Sequence, residues 1–396
     1  MRIAVIGAGL GGLTAAIALQ RRGFDVTVYE RSHELGEIGA GIQISPNASR
    51  VLHGLGLAEP LAPVVVRPAY GDLRRWDDGR LLTRQPLGDR MVQDFGFPYY
   101  HVHRAHLHQV LRGAVDEGRI RLGRRCTGID SAAGDSVRVS FAGGEAVEAD
   151  VVIGADGIHS AVRTALFGPE APRFTGNTAW RGVVPYERVA DLALEAVSTA
   201  VLGPDQHLVY YLLDGGRLVN WVGVTPSDSW TLESWTEPGE VDEALADFEG
   251  WNPVVRRLIG AVDATHRWAL YDRDPLTRWS EGRVTLLGDA AHPMLPFMAQ
   301  GAAQSIEDAA VLAGCLDQAR HDPNAALRRY QDLRMARTSR AQLGSRANAV
   351  LFHLPDGPEQ IARDDRFAAA SGDQAEHRNA WLFGYKVEDE LASPPA

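Results

Sequence analysis

Three rhythms of apolar and polar positions run along this chain. Ile3 to Ile6, Val151 to Ile153 and Val284 to Leu287 are short unbroken apolar runs. Runs of this kind predict strands buried on both faces, as in a parallel sheet covered by helices. Around them the spacing is helical: Leu13, Ala16 and Ile17 share one face, as do Leu107, Val110 and Leu111 within residues 101 to 115. From 174 to 275 the pattern becomes strands separated by turns. Residues 179 to 185, 207 to 213 and 217 to 224 read as an antiparallel sheet, the last two joined as a hairpin by Asp214, Gly215 and Gly216.

Punctuation residues set the remaining boundaries. Gly36, Gly39 and Gly41 mark a loop, and Ser45, Pro46 and Asn47 predict a helix start with Ser45 capping its first turn. Residues 61 to 100 predict short strands and turns, with a hairpin at Asp77, Asp78 and Gly79. Strands are expected near 119 to 130 and 136 to 141, and a helix carrying Leu245, Phe248 and Trp251 follows the hairpin region. Pro293 and Pro296 break any helix before Gly301, which is expected to open one running through Leu316. Residues 325 to 351 predict an amphipathic helix packed on the outside, and the last ~15 residues a loose tail.

The first 30 residues carry the most specific chemistry. A strand enters Gly7, Gly9 and Gly12 in GxGxxG spacing, then a helix, then a second strand, Asp25 to Tyr29, that ends at Glu30. Gly7 permits the tight turn, Gly9 lets a pyrophosphate approach the backbone, and Gly12 lets helix and strand pack closely. The helix start favours phosphate, and Glu30 can accept from ribose hydroxyls. A second glycine turn, Gly154 to Gly157 with Asp156, follows the strand at Val151 and reads as a loop approaching the same dinucleotide. A third, Gly288 with Asp289, ends the last strand, where a carboxylate can bind a ribityl or ribose hydroxyl.

The fold class is therefore α/β. A discontinuous Rossmann-like nucleotide domain (1–70, 101–173 and 276–316) is expected to interleave with an antiparallel sheet domain for substrate (71–100 and 174–275). C-terminal helices and a tail (317–396) complete the chain.

Composition narrows the functional class. The 396 residues are 45% hydrophobic and 23% charged, with 40 Lys plus Arg against 51 Asp plus Glu, net −11. That balance argues against a nucleic-acid or anionic-membrane binder. No basic-then-apolar leader precedes Ile3 and no run of about 18 uncharged apolar residues occurs, so a cytoplasmic protein, monomer or homodimer, is expected. Cys126 and Cys315 stand alone and read as small buried hydrophobes. His101, His103, His106 and His108 crowd one stretch without a carboxylate or cysteine in register, so no metal is expected.

Three blocks, GAGLGG with Glu30, DVVIGADGIHSAVR and GRVTLLGDAAHPMLPFMAQG, together resemble the single-component FAD-dependent aromatic hydroxylases, the group A flavoprotein monooxygenases. The likeness runs from Arg2 to about Tyr385. Within the family GAGIQISPN, HPMLPFMAQG and the HxxxY at His207 and Tyr211 are most similar to 6-hydroxynicotinate 3-monooxygenase, 3-hydroxybenzoate 6-hydroxylase and salicylate hydroxylase. The resemblance implies a glutathione-reductase-type FAD-binding domain, NADH or NADPH as co-substrate, and a small aromatic substrate and O2 as partners. It implies that Gly7, Gly9, Gly12 and Glu30 hold the adenosine diphosphate and that Arg104 contacts FAD. Asp289 would bind the ribityl and pyrophosphate region, Pro293 lie against the isoalloxazine, and Gly301 and Ala302 offer N–H groups to the flavin C2 carbonyl. Asp156 and Gly157 belong to a motif linked to both FAD and the nicotinamide donor. The chain departs from the 6-hydroxynicotinate pattern at Gln43 and Phe297, where histidines are expected, and from the 3-hydroxybenzoate pattern near Pro296, where a glutamine is.

In this family's chemistry a flavin C4a-hydroperoxide is attacked by a ring made electron-rich when its hydroxyl loses a proton. His207 is the expected proton acceptor, suited by an ordinary pKa near 6.5 and supported by Tyr211 four residues along the same strand face. Pro296, Phe297 and Met298 would keep the pocket dry. Trp180 and Arg181 would border it, with Arg181 either binding a substrate carboxylate or forming a surface salt bridge. The alternatives are a flavin-dependent NAD(P)H oxidase or reductase, and a flavin-containing sensor; decarboxylation could accompany hydroxylation.

Overall fold

The three unbroken apolar runs lie side by side at the centre of one sheet. The computed structural model describes residues 1–36, 40–131, 134–228, 238–372 and 377–392; Gly39 of the glycine loop lies outside the described residues. A six-stranded sheet runs in the order Ser280–Glu281, Val284–Leu286, Val151–Gly154, Arg2–Ile6, Asp25–Tyr29, Ile120–Arg121. All neighbours are parallel except the first pair. Every residue of Val151–Gly154 and Val284–Leu286 is buried, as unbroken runs require. The register pairs Ile6 with both Tyr29 and Gly154, and Gly154 with Leu286. Gly7, Glu30, Ala155 and Leu287 therefore leave the sheet along one carboxyl edge, where open α/β sheets bind ligands.

Helix α1 (Leu10–Gln20) follows the glycine turn, and α2 (Gly301–Gln318) packs beside it. Helix α3 (Pro323–Phe352) is the expected outer helix, exposed along one face from Arg328 to Val350, but much of its inner face is polar. Arg334, Thr338 and Ser345 on it are wholly buried, and Arg334 is bonded to Glu307 and Asp308 of α2. Its polar face meets another polar face inside the protein, which amphipathicity cannot distinguish from solvent.

The second sheet has eight strands in the order Pro238–Gly239, Thr265–Asp272, Arg173–Pro185, Leu218–Pro226, Gln206–Leu213, Val197–Gly203, Tyr70–Arg75, Leu81–Pro86. The expected hairpin at 207 to 224 forms its middle. Its one parallel pair, Val197–Gly203 with Tyr70–Arg75, joins a segment from the early chain to the later one. Behind this sheet Trp180, Trp221 and Phe248 are wholly buried.

Several local expectations change. Residues 88 to 95 form a helix, Gly88–Phe95, where strands and turns are expected. The helix after the hairpin ends at Asp247, so Phe248 and Trp251 are buried from the segment beyond it. The helix Pro46–Gly54 starts at Ser45, yet the Ser45 hydroxyl donates to Asn47 Oδ1 (2.6 Å) and does not cap it. The tail is helical at Ala380–Phe383 and Val387–Ala392, anchored by buried Leu382, Phe383 and Val387. Residues 393–396 lie outside the described residues. Cys126 and Cys315 are buried free thiols, pushed up by burial to about 11 and about 12.

Candidate active site

The glycine turn fits a dinucleotide in detail. Gly7 has φ +107°, and a β-carbon there would meet Ala155 O at 2.3 Å. A β-carbon at Gly12 would lie 2.1 Å from Gly7 O, so only glycine allows α1 so close to the turn. At Gly9 the same atom would enter open space, which leaves that backbone bare to an approaching ligand. No side chain caps α1, so its positive end faces the same space. Glu30 sits beside it, accepting from Ala8 N (2.8 Å) and Ser32 N (2.9 Å). From the helix Arg104–Ala114, His108 Nε2 lies 2.8 Å from Ala8 O and braces the turn from behind.

The second glycine turn reaches the first, since Ala155 packs on Gly7. Asp156, however, directs both carboxylate oxygens into its own helix, accepting from Ser160 Oγ (2.5 Å), Ala161 N (2.7 Å) and Val162 N (3.2 Å). Burial raises its pKa against those bonds. Its part in the turn is thus to fix the helix start, while Gly157 has open space about its α-carbon.

The third turn is held from below by a buried ionic network. Asp308 accepts from His292 Nε2 (2.6 Å), Gly288 N (3.1 Å) and Arg334 Nε (2.7 Å). Glu307 accepts from Arg334 (2.5 Å), Arg337 (2.8 Å) and Asn47 (2.5 Å). Both carboxyls pay for burial, yet the facing cations hold their pKa values below the ordinary range. Above this base Asp289 stands with its side chain open to solvent but closely walled by protein, the position of a group on a crevice floor. The enclosing protein raises its pKa, while His292 and Arg104 pull it down. A β-carbon at Gly301 would lie 3.9 Å from Asp289 Oδ1, so the start of α2 meets that floor. No side chain caps α2; Gln300 donates to Ser45 Oγ (2.9 Å) instead. Pro293 is buried, its carbonyl accepting from Gln342 (2.9 Å), and Ala302 stays partly open. Glycines without β-carbons, two uncapped helix starts and strand-end carboxylates fit FAD at the carboxyl edge of the sheet.

Beside this crevice lies a cavity of about 190 Å³. Gln43, Tyr99, His207, Pro296, Phe297 and Arg378 are among its walls, and Phe352, Phe367 and Phe383 make much of the rest apolar. Gln43 is held in place: its carbonyl accepts from Tyr99 OH (2.6 Å) and its amide donates to Ser198 Oγ (3.1 Å). Phe297 stacks against His207 with ring centroids 5.1 Å apart.

His207 is buried at 3% exposure, and burial together with His353 lowers its pKa well below the ordinary value. It is therefore neutral, the state a proton acceptor needs. The partner of its ring is not Tyr211. His207 Nδ1 lies 2.8 Å from His353 Nε2. Tyr211 shares the strand face but packs on His101, with centroids 4.4 Å apart, and against Gly41; it is not on the cavity wall. Burial raises its pKa, so it remains a neutral phenol. Arg181 is neither in a surface ion pair nor on the cavity wall. It stacks on Trp268 at 3.8 Å, and burial lowers its pKa to about 10. Trp180 is a core residue whose Nε1 donates to Asp247 (2.7 Å). His353, Tyr99 and Arg378 are the site residues that sequence reasoning missed, each arriving from an element with no motif of its own.

This fold and crevice define a flavoprotein. The chain belongs to the FAD-binding domain family, whose model matches residues 1–342, and within it to the FAD-dependent aromatic monooxygenases. It is 45% identical over 386 residues to 3-amino-4-hydroxybenzoate 2-monooxygenase of Streptomyces platensis, covering 98% of this chain and 96% of that one. It is 40% identical over 392 residues to 6-hydroxynicotinate 3-monooxygenase of Bordetella bronchiseptica, covering 98% and 96%. The structure of Klebsiella pneumoniae HpxO complexed with FAD and uric acid superposes with TM-score 0.86 at 29% identity, covering 100% of this chain and 97% of that one.

Proposed function

We propose that this monooxygenase uses NADH or NADPH and O2 to hydroxylate a phenol-type ring that carries a carboxylate, an aminohydroxybenzoate or hydroxynicotinate among them. The observation that carries the reading is the cavity itself, whose walls include both a neutral buried imidazole, His207, and Arg378, an exposed cation. Arg378 lies over the Phe367 ring at 5.4 Å and has no acidic partner among the described residues. An exposed guanidinium at the edge of a largely apolar cavity suits an anionic substituent. The relatives named above act on rings with a carboxylate and a hydroxyl or amino group, which is the chemistry these two walls match.

Residues 1–70, 101–173 and 276–316 would hold FAD through Gly7, Gly9, Gly12, Glu30, Arg104, Asp289, Pro293, Gly301 and Ala302. FAD held there would supply the redox chemistry of the reaction, hydride acceptance and oxygen activation. Residues 71–100 and 174–275 would present the substrate. His207 accepts the ring hydroxyl's proton, which makes the ring electron-rich, and Phe297 with its aromatic neighbours excludes water. The uncapped start of α2 favours negative charge beside Gly301. Gln43, where the 6-hydroxynicotinate pattern has histidine, fixes Tyr99 and so shapes the wall.

No helix among the described residues is long and apolar enough to cross a membrane, and we place the protein in the cytoplasm as a monomer or homodimer. The test is to supply purified holoenzyme with NADH or NADPH in air across hydroxybenzoates, aminohydroxybenzoates and hydroxypyridine carboxylates, following cofactor oxidation, peroxide and product mass together. A ring that accelerates oxidation and gains one oxygen supports the reading. Oxidation that yields only peroxide with every compound supports an NAD(P)H oxidase instead.

A further inference from the structure

We infer that His353 is the outer half of a two-histidine relay that carries the substrate hydroxyl's proton from His207 to solvent and back. This rests on the reading of His207 as the proton acceptor.

The two rings occupy different depths. His207 lies on the strand Gln206–Leu213 and lines the cavity; His353 follows the last turn of α3, is only partly buried, and does not line it. Their nitrogens are 2.8 Å apart and their centroids 5.0 Å. Phe297 lies against both rings, at 5.1 Å from His207 and 5.6 Å from His353, and Phe352 packs on His207 at 5.6 Å. His353 is further fixed through its backbone, its carbonyl accepting from Asp205 N (3.1 Å). Two phenylalanine rings thus flank the contact on its buried side.

Of the charged groups on the adjoining elements, Arg363 and Asp72 are engaged elsewhere, while Asp205, beside His353 and in the turn before His207, is exposed, as is Arg378 on the cavity wall. Arg363 is bonded to Asp364 and to the carbonyls of Leu351 and Phe352. Asp72, on the cavity wall, is bonded to Arg74 and Arg84. Both imidazoles are neutral near neutral pH, His353 lowered by burial to about 4. A bond between two neutral imidazoles needs one N–H and one lone pair. If His207 donates from Nδ1, its Nε2 is the bare nitrogen, and that is the nitrogen left to the cavity.

The proton count then closes. The substrate O–H bond breaks as His207 Nε2–H forms; His207 Nδ1–H breaks as His353 Nε2–H forms; His353 Nδ1–H breaks and its proton passes to water. When the product's hydroxyl regains a proton the same bonds exchange in reverse, and both starting tautomers return. No electron is moved by the relay, and neither ring need hold a positive charge for long beside the phenylalanines.

Two arms test this with the FAD-loaded full chain. Nitrogen-labelled histidine NMR of the wild type, assigned by the signals lost in His207→Gln and His353→Gln, is expected to find His207 protonated at Nδ1 and bare at Nε2. The opposite tautomer, with His353 donating, overturns the relay whatever the protein hydroxylates. The second arm supplies 3-amino-4-hydroxybenzoate and 6-hydroxynicotinate. His353→Gln keeps a hydrogen-bonding amide beside His207 but cannot pass a proton through. It is expected to lower product formation roughly ten-fold or more with FAD and ring affinity unchanged, and added imidazole to restore part of the loss. Product formation equal to wild type in His353→Gln overturns the relay. If the wild type hydroxylates neither compound, the substrate reading fails on them, and the spectra still decide the relay.

Discussion

His207 and His353, 146 residues apart in sequence, meet with Nδ1 and Nε2 at 2.8 Å. Their contact turns a lone buried imidazole into an oriented one. Orientation matters because only the nitrogen facing the cavity can take a substrate proton. Replacing His207 by phenylalanine preserves the stacking on Phe297 and removes the acceptor. His207→Phe should keep FAD and lose product formation by about 10²–10⁴-fold, as rapid-quench assays of hydroxylated product would measure. Turnover near wild type would remove the acceptor role.

The glycines of the first turn should separate folding from cofactor binding. A β-carbon at Gly12 collides with Gly7 O at 2.1 Å, whereas one at Gly9 meets nothing. Gly12→Ala is expected to lower thermal stability sharply. Gly9→Ala should melt like the wild-type apoprotein yet bind FAD at least about ten-fold more weakly, since the added methyl occupies the pyrophosphate's approach. Comparing apoprotein melting with FAD titration reads the two effects apart.

Arg334 supports the third turn from inside. Wholly buried, it pairs with Glu307 and Asp308 together. Arg334→Leu leaves two buried carboxylates short of a partner and should destabilise the fold by about 3–5 kcal/mol, as breaking a buried pair does. Urea unfolding measures it. A loss below about 1 kcal/mol would mean that Arg337 and His292 suffice.

Stability should fall on mild acidification. Burial holds His101 at about 3, and His353 and His377 at about 4, all below their ordinary value near 6.5. A lowered histidine binds its proton only after unfolding, so its contribution is complete above about 6.5 and declines as the pH drops from there toward the folded values. Each such histidine can add up to roughly 1.4 kcal/mol of loss per pH unit in that window. The urea midpoint should therefore decrease steadily below about pH 6.5; an unchanged or rising midpoint would contradict neutral burial of these rings.

Arg378 should discriminate by charge. Arg378→Gln is expected to weaken binding of a hydroxybenzoate by about 2–3 kcal/mol while leaving the matching carboxamide nearly unaffected. Flavin absorbance changes on titration provide the readout. Equal weakening of acid and amide would show that Arg378 shapes the wall without pairing with a carboxylate.

The parallel sheet and its three turns were legible because their signals are local. An unbroken apolar run followed at once by glycine states both a buried strand and the bend that ends it. The hairpin around Asp214 was legible for the same reason. What escaped was whatever depends on register between distant segments. Tyr99, just before the strand Tyr100–His103, meets Gln43, Arg378 reaches the cavity from beyond α3, and His353 is an ordinary residue at a helix end. Arg334 carries no sequence signal of its place either: a polar helix position normally meets water, and here it meets Glu307 and Asp308. Arg181 reads in the sequence as a cation near the pocket, but it lies over Trp268 of the neighbouring strand.

Oxygen incorporation decides whether the protein hydroxylates a ring. Holoenzyme, NADH or NADPH and 3-amino-4-hydroxybenzoate or a related hydroxybenzoate are combined under isotopically heavy oxygen gas, and the product is weighed by mass spectrometry. The expected product carries one heavy oxygen atom on its ring, formed by wild type and greatly reduced in His207→Phe with FAD still bound. Nicotinamide oxidation recovered entirely as peroxide, with no labelled ring from any carboxylated phenol or hydroxypyridine, would contradict ring hydroxylation.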